Sequence, residues 1–359
     1  MNTAPHIPHS KPCLGEEEAA AAAVVIRSGQ IAQAKRVAAL ENSFARFCGR
    51  PAGAVAVNSG TAALHLTLAA MGTGKGDEVI ISDFVCTALL NAVRHAGARP
   101  VPADIDPKTL NMDPKDVTRR ITEKTKAIIA VHLFGMPADM NALMSIGMQR
   151  KVPVIEDCAQ SVGATIDGRP LGGIGHASVF SFYATKVITC GEGGLALFSS
   201  GKAADRARDL RDYDNHADDT TRWNYKMTDI QAAIAQTQFN RLGEFINRRK
   251  EIAERYTAAF AGLDVELPFQ APGRIWFRYV IGLRKDHSVE SWIKKMADYG
   301  IACAKPVFAP IHRMLGISGY GNSESAWNRL VSIPVYPAMT DREVDRVIDA
   351  VRKTSREAA

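Results

Sequence analysis

At 359 residues, with 46% hydrophobic and 23% charged side chains, the chain is too long for one small core and reads as a two-domain globular enzyme. Its formal net charge of +6 is dispersed, and the basic cluster Arg248-Arg249-Lys250 is balanced by Glu251 and Glu254, so no nucleic-acid partner is expected. Six scattered cysteines with no Cys-x-x-Cys pair, nine dispersed histidines, no secretion signal over residues 1–12 and no apolar run longer than 19–26 argue against a disulfide framework, a metal site and a membrane span, and for a cytoplasmic protein with reduced thiols.

Residues 1–12 read as a loose polar arm. A helix is predicted over 16–28, with three acids in its first turn where the helix dipole favours them, and residues 37–47 repeat at helical spacing. From Ala54 the pattern becomes strand, turn, helix. Residues 54–57 form a short apolar strand, and Asn58-Ser59-Gly60-Thr61 turns into a helix over 62–71; backbone N–H groups at such a turn suit a phosphate. Strands follow at 78–82, 99–103, 127–133 and 152–155, separated by helices at 88–96, 113–120 and 138–148. Near-continuous apolar strands alternating with helices predict a parallel sheet covered on both faces, with ligands gathering beyond the carboxyl ends of the strands. Residues 177–183 and 193–199 read as further strands, 203–212 as a helix, 214–221 as a polar loop and 228–241 as a helix. A charged helix over 241–256 then leads to a smaller unit with strands at 275–283 and 330–334 and helices at 289–299 and 341–353. The expected division is an arm (1–12), a large domain (13–240) and a small C-terminal α/β domain (241–359).

The chemistry gathers at two strand ends. Val154-Ile155-Glu156-Asp157 ends in an acid, and Ser181-Phe182-Tyr183-Ala184-Thr185-Lys186 carries a lysine into the glycine-rich run Gly191-Glu192-Gly193-Gly194. A lysine and an acid at neighbouring strand ends suit a cofactor with an aldehyde and a pyridine ring, namely pyridoxal 5′-phosphate (PLP): the lysine forms the Schiff base and the acid keeps the ring nitrogen protonated.

With these residues in hand, the chain resembles the DegT/StrS family of PLP-dependent sugar aminotransferases over nearly its whole length. The resemblance is carried by Asn58-Ser59-Gly60-Thr61-Ala62-Ala63-Leu64, Gly76-Asp77-Glu78-Val79-Ile80, Val131-His132-Leu133-Phe134-Gly135, Glu156-Asp157-Cys158-Ala159-Gln160, the lysine block, Gly191-Glu192-Gly193-Gly194 and Asn224-Tyr225-Lys226-Met227. It implies an α/β architecture of the type I, aspartate-aminotransferase-like PLP fold, and a homodimer with shared active sites. By position it implies Lys186 as the Schiff-base lysine, Asp157 as partner of the ring nitrogen and Gln160 against the ring. Gly60, Thr61 and Ser181 would hold the phosphate, and Asn224 would reach the phosphate of the neighbouring subunit. Where the family carries an aromatic residue over the ring, this chain has Cys86 with Phe84 two residues earlier, and either could cover it. Lys305, His312 and Tyr320 fall where the family places substrate contacts, and Trp276 and Tyr279 are expected in the small-domain core. His132, at the end of a buried strand, is expected either beside the cofactor or as a core histidine.

The reaction so implied moves an amino group from glutamate or glutamine to a keto sugar, nucleotide-linked by resemblance, in ping-pong fashion through a pyridoxamine phosphate form. A keto-cyclitol acceptor and a non-catalytic PLP-binding regulator are the alternatives. A family-type dehydratase is disfavoured, because those relatives carry histidine in place of the lysine.

Overall fold

Short, wholly apolar runs such as Ala54–Val57 and the central residues of 125–131 have no polar face to present to water, so they can form strands only inside a covered sheet. The computed structural model describes residues 5–50, 53–214, 216–284 and 287–357 and shows that sheet. Its strands are β1 (Ala54–Val57), β2 (Glu78–Ser82), β3 (Arg99–Ala103), β4 (Thr125–Val131) and β5 (Val154–Asp157). A two-residue hairpin, β6 (Thr165–Ile166) and β7 (Arg169–Pro170), stands apart, and β8 (Ala177–Ser181) and β9 (Gly194–Phe198) complete the set. The seven-stranded order is β1-β9-β8-β5-β4-β2-β3. All contacts among β3, β2, β4, β5 and β8 are parallel, while β9 pairs antiparallel with both β8 and β1. Only β9 is reversed, so the carboxyl ends of six strands and the start of β9 share one edge.

Helix starts are set by side-chain caps. Ser59 Oγ accepts from Ala62 N, which starts the helix at Gly60, two residues earlier than the apolar spacing suggests. Asp139 and Ser200 likewise move the starts of the helices Met140–Arg150 and Gly201–Arg211. Strand β5 runs on to Asp157, beyond the apolar residues, because its pairing with β4 continues through Ala130 with Glu156 and Val131 with Asp157.

A second apolar cluster lies around β10 (Tyr279–Gly282) and β11 (Leu330–Ile333), which pair antiparallel. The helices Leu242–Phe260, Val289–Asp298 and Asp341–Glu357 cover them, burying Tyr256, Phe260, Trp292, Met296, Val344 and Val347. Trp276 and Tyr279 stack here with ring centroids 5.3 Å apart. The strand expected over 275–283 is shorter, because the carbonyls of Trp276 and Phe277 accept from the buried Arg249 guanidinium and Ile275 N donates to Gly135 O. Two short helices, Ile311–Leu315 and Gly321–Arg329, were not expected from spacing.

The loose arm is corrected. Residues 1–4 lie outside the described residues, but Ile7 is fully buried in the second cluster, and its backbone bonds Gly300 O and Ala302 N at 2.9 Å each. Of the polar loop expected over 214–221, Asn215 lies outside the described residues.

Candidate active site

At the carboxyl edge of the sheet lies a cavity of about 300 Å³, lined by residues from four segments distant in sequence. Ser59, Gly60 and Thr61 enter from the end of β1 and the first turn of Gly60–Ala70; Cys86 comes from the loop after β2; Asp157 ends β5; Ser181, Tyr183, Lys186 and Glu192 follow β8. The structure therefore brings Gly60, Thr61, Cys86, Asp157, Ser181 and Lys186 together.

Two glycines make the close approach possible. A Cβ on Gly60 would stand 2.7 Å from Ser181 Cβ, and one on Gly194 would stand 2.4 Å from Ser59 O, both well inside van der Waals contact. The helix start thus lies directly against the end of β8 and the start of β9. Ser59 Oγ and O accept from Ala62 and Ala63, so the N–H groups ahead of them, on Gly60 and Thr61, are the ones available to an anion.

Asp157 is 4% exposed, and among the described residues its carboxyl accepts one hydrogen bond, from Ala159 N to Oδ1 at 2.9 Å. Burial raises its carboxyl pKa, against the opposing pull of that N–H, Lys186 and His132. Lys186 follows a turn closed by its own N–H to Tyr183 O at 2.9 Å, and its Nζ lies 5.4 Å from the Phe277 ring centroid. Burial lowers the Lys186 pKa, with Arg278 adding to the effect and Cys86 and Asp157 opposing it. A buried acid with no cation hydrogen-bonded to it, and a half-buried amine shifted toward its neutral form, are poised for a ligand that completes both.

Along β5 side chains alternate, so Glu156 faces the other side of the sheet from Asp157. Its Oε1 accepts from Ile174 N (2.8 Å) and Gly175 N (2.7 Å), and Oε2 from Gly172 N (3.0 Å) and His132 Nε2 (3.2 Å). His132 Nδ1 accepts from Ala138 N at 3.0 Å, which places the ring proton on Nε2. His132, Glu156 and Cys158 could in principle gather a metal, but every ligand atom of the histidine and carboxylate is already occupied. The cluster is a brace beneath the cavity. His132 N also donates to Asp157 O at 3.1 Å, joining the ends of β4 and β5.

Several expected site residues lie elsewhere. Phe84 is fully buried in the core and does not line the cavity; Cys86 does. Gln160 is not among the lining residues, because its Oε1 accepts from Phe134 N (2.9 Å) and holds the turn after β4, where Phe134 takes φ 55°. His312 is buried between Asp83 (Nδ1 to Oδ2, 2.7 Å) and Glu324 (3.2 Å), and it stacks on Tyr320. Tyr320 in turn accepts from Arg120 at 2.8 Å. Lys305 pairs with Glu290 at 2.8 Å and lies over Trp327. None of these three lines the cavity, since each is engaged by neighbours in its own region. Asn224 is exposed, outside the cavity of its own chain, with its carbonyl accepting from Asn58 Nδ2.

Ser59, Tyr183 and Glu192 also line the cavity; each lies within a motif quoted from the sequence, though none was given a role of its own there.

Residues 12–352 match the model of the DegT/DnrJ/EryC1/StrS aminotransferase family. The chain is 36% identical to the spore coat polysaccharide biosynthesis protein SpsC of Bacillus subtilis (strain 168), over 96% of each chain. Its fold is similar to that of the aminotransferase TlmJ from Streptoalloteichus hindustanus, with a TM-score of 0.93 and 30% identity over 98% of this chain and 99% of TlmJ. It is similar also to the PLP form of Spr1654 from Streptococcus pneumoniae, with a TM-score of 0.92 and 28% identity over 99% of this chain and all of that one.

Proposed function

Because the chain belongs to the DegT/DnrJ/EryC1/StrS aminotransferase family, we propose that it carries an amino group from glutamate or glutamine to a nucleotide-linked keto sugar, in two half-reactions at the Lys186 cavity. The chain is a PLP-dependent aminotransferase of the sugar-modifying kind. The observation that carries the reading is the meeting of the half-buried Lys186 and the buried Asp157 with the Gly60–Thr61 helix start and Ser181 in one cavity.

The residues fit the cofactor. A buried carboxyl with a single hydrogen bond accommodates a protonated ring nitrogen, whose charge would draw Asp157 back to its ionised form. The Gly60–Thr61 N–H groups and the Ser181 hydroxyl accommodate a phosphate, and a side chain at Gly60 or Gly194 would push Ser181 or the Ser59 backbone away from that arrangement. When bound, PLP supplies an aldehyde that takes up an amino group and a ring that accepts the electrons of a C–H bond being broken. Lys186 anchors the cofactor through Nζ and, once released, accepts and returns a proton at that atom; its lowered pKa favours the neutral amine that this requires. Cys86 and Tyr183 bound the open side of the cavity.

Asn224, exposed and outside its own cavity, suits a contact to the cavity of a second copy, so the working unit is a homodimer with shared sites. Among the described residues no helix is long and apolar enough to cross a membrane. All six cysteines are unpaired, which supports a reducing, cytoplasmic setting.

The test is the visible absorption of the PLP-loaded protein. Glutamate should remove the band of the lysine-bound cofactor, a nucleotide-linked keto sugar should restore it, and Lys186→Ala should lack it from the start. Restoration by a keto-inositol but by no nucleotide-linked sugar would overturn the acceptor.

A further inference from the structure

Arg278 is a cation beside the cavity with no counter-ion among the described residues. It precedes β10, lies partly buried, and places its guanidinium carbon 5.3 Å from the centroid of Phe277. Lys186 Nζ lies 5.4 Å from that same ring, so the two charged groups can be no further apart than those distances laid end to end. The Arg278 charge acts on both Lys186 and Cys86, two groups that line the cavity. Its polar partner is His9, with Nη1 at 3.1 and 3.2 Å from the ring nitrogens, and a narrow cleft lined by His9, Thr185, Phe277 and Arg278 joins the two.

His9 cannot neutralise it. Burial and the Arg278 charge push the His9 pKa down to about 3, so the imidazole is neutral near pH 7 and contributes no negative charge. Among the described residues no carboxylate pairs with Arg278. The contrast with Arg249 is informative: that residue is buried, and its Nη1 is spent on the carbonyls of Trp276, Phe277 and Val335. Arg249 secures the backbone from which Arg278 projects, whereas among the described residues Arg278 has no comparable set of acceptors. An unpaired cation partly withdrawn from water is costly, and such groups persist where a ligand of opposite charge repays the cost.

Two anions of the reaction have other places. The cofactor phosphate suits the Gly60–Thr61 and Ser181 side of the cavity, and the diphosphate of a nucleotide-linked sugar is separated from the reacting carbon by the sugar ring. The anion that glutamate and glutamine share, the α-carboxylate, sits one bond from the carbon that gives up its amino group. We propose that Arg278, positioned by His9, receives the carboxylate of the amino-acid donor. This rests on the reading above that the donor is an amino acid acting at Lys186.

The experiment titrates PLP-loaded wild type, Arg278→Gln and Arg278→Lys with glutamate, following loss of the absorption band, and measures by calorimetry the binding of glutarate, which carries no amino group and cannot react. A charge-assisted contact of this kind predicts a half-saturating glutamate concentration about 30- to 100-fold higher in Arg278→Gln, with a parallel loss of glutarate binding. Arg278→Lys should recover part of both, and the KM of the keto acceptor should move less than about threefold. Unchanged glutamate dependence in the variant, with a wild type that converts normally, would overturn the assignment alone. A raised acceptor KM with unchanged glutamate would overturn it in favour of a diphosphate contact, and faster cofactor loss with unchanged glutamate would overturn it in favour of a cofactor contact. A wild type that responds to no amino acid would overturn both this inference and the donor reading beneath it.

Discussion

Glu156→Gln probes the brace on which the cavity floor rests. The carboxylate accepts four hydrogen bonds, two on each oxygen: Ile174 N and Gly175 N on one, Gly172 N and His132 Nε2 on the other. A glutamine offers one carbonyl oxygen and one NH₂, so in either orientation its NH₂ meets two N–H donors. His132 cannot relieve the conflict by moving its proton to Nδ1, because Nδ1 already accepts from Ala138 N. Loss of two hydrogen bonds to a buried carboxylate, each about 1.5–3 kcal/mol, gives a destabilisation of about 3–6 kcal/mol. For a chain of this size that corresponds to a Tm drop of roughly 4–8 °C. Although burial alone would raise the Glu156 pKa, the His132 and backbone hydrogen bonds hold it below the ordinary value of 4.5. A carboxyl depressed in the folded state contributes stability above the unfolded-state pKa and loses it as pH falls through the folded value. The Tm gap between wild type and variant should therefore be widest near pH 7 and narrow below about pH 4.5. Thermal unfolding followed by circular dichroism across that range is the assay. A Tm within about 2 °C of wild type at pH 7, or a gap that does not change on acidification, would refute the reasoning.

The remaining predictions address the cavity and the docked N-terminal segment. Asp157→Asn should leave the cofactor-free protein no less stable at pH 7, since a carboxyl whose folded pKa is raised by burial costs stability when ionised; PLP should nevertheless dissociate at least about tenfold more readily in equilibrium dialysis. Cys86→Phe should slow cofactor loss about three- to tenfold, the worth of an added ring contact, read as the rate at which absorbance falls on dilution; an unchanged rate would mean that residue 86 does not face the ring. Ile7→Ala should cost about 2–4 kcal/mol in thermal or denaturant unfolding, because Ile7 is fully enclosed; a cost below about 1 kcal/mol would show the segment to be undocked in solution. His9 is neutral when folded down to about pH 3 but gains a proton in the unfolded chain below about 6.5, so stability should fall as pH drops through that window. His9→Gln should flatten this part of the pH–Tm curve.

Local patterns in the chain were sufficient for the mostly parallel sheet, for the larger helices and for the meeting of the Ser59-Gly60-Thr61 turn, Asp157 and Lys186, while the resemblance added Ser181. Strand periodicity and turn chemistry act over a few residues, and ligand groups at the ends of parallel strands must share one edge. The same short range explains why Glu156 and Asp157, adjacent in sequence, have to serve opposite faces of β5. What only the tertiary structure decided are contacts between distant segments. Whether Phe84 or Cys86 faces the cavity depends on which way the loop after β2 turns, and Asp83 sets this by donating its N–H to Ala103 O and binding His312 through its carboxylate. Gln160, His312, Tyr320 and Lys305 sit where the family places site residues, yet their side chains are held by Phe134, Asp83, Arg120 and Glu290. Ile7 looks like part of a polar tail until Ile301 and the second cluster close over it. Arg278 reads as one arginine in an apolar run, and only packing reveals that no acid among the described residues meets it. Periodicity specifies which way a side chain faces; burial and charge pairing arise only when remote segments meet, and those two determine what a cavity can bind.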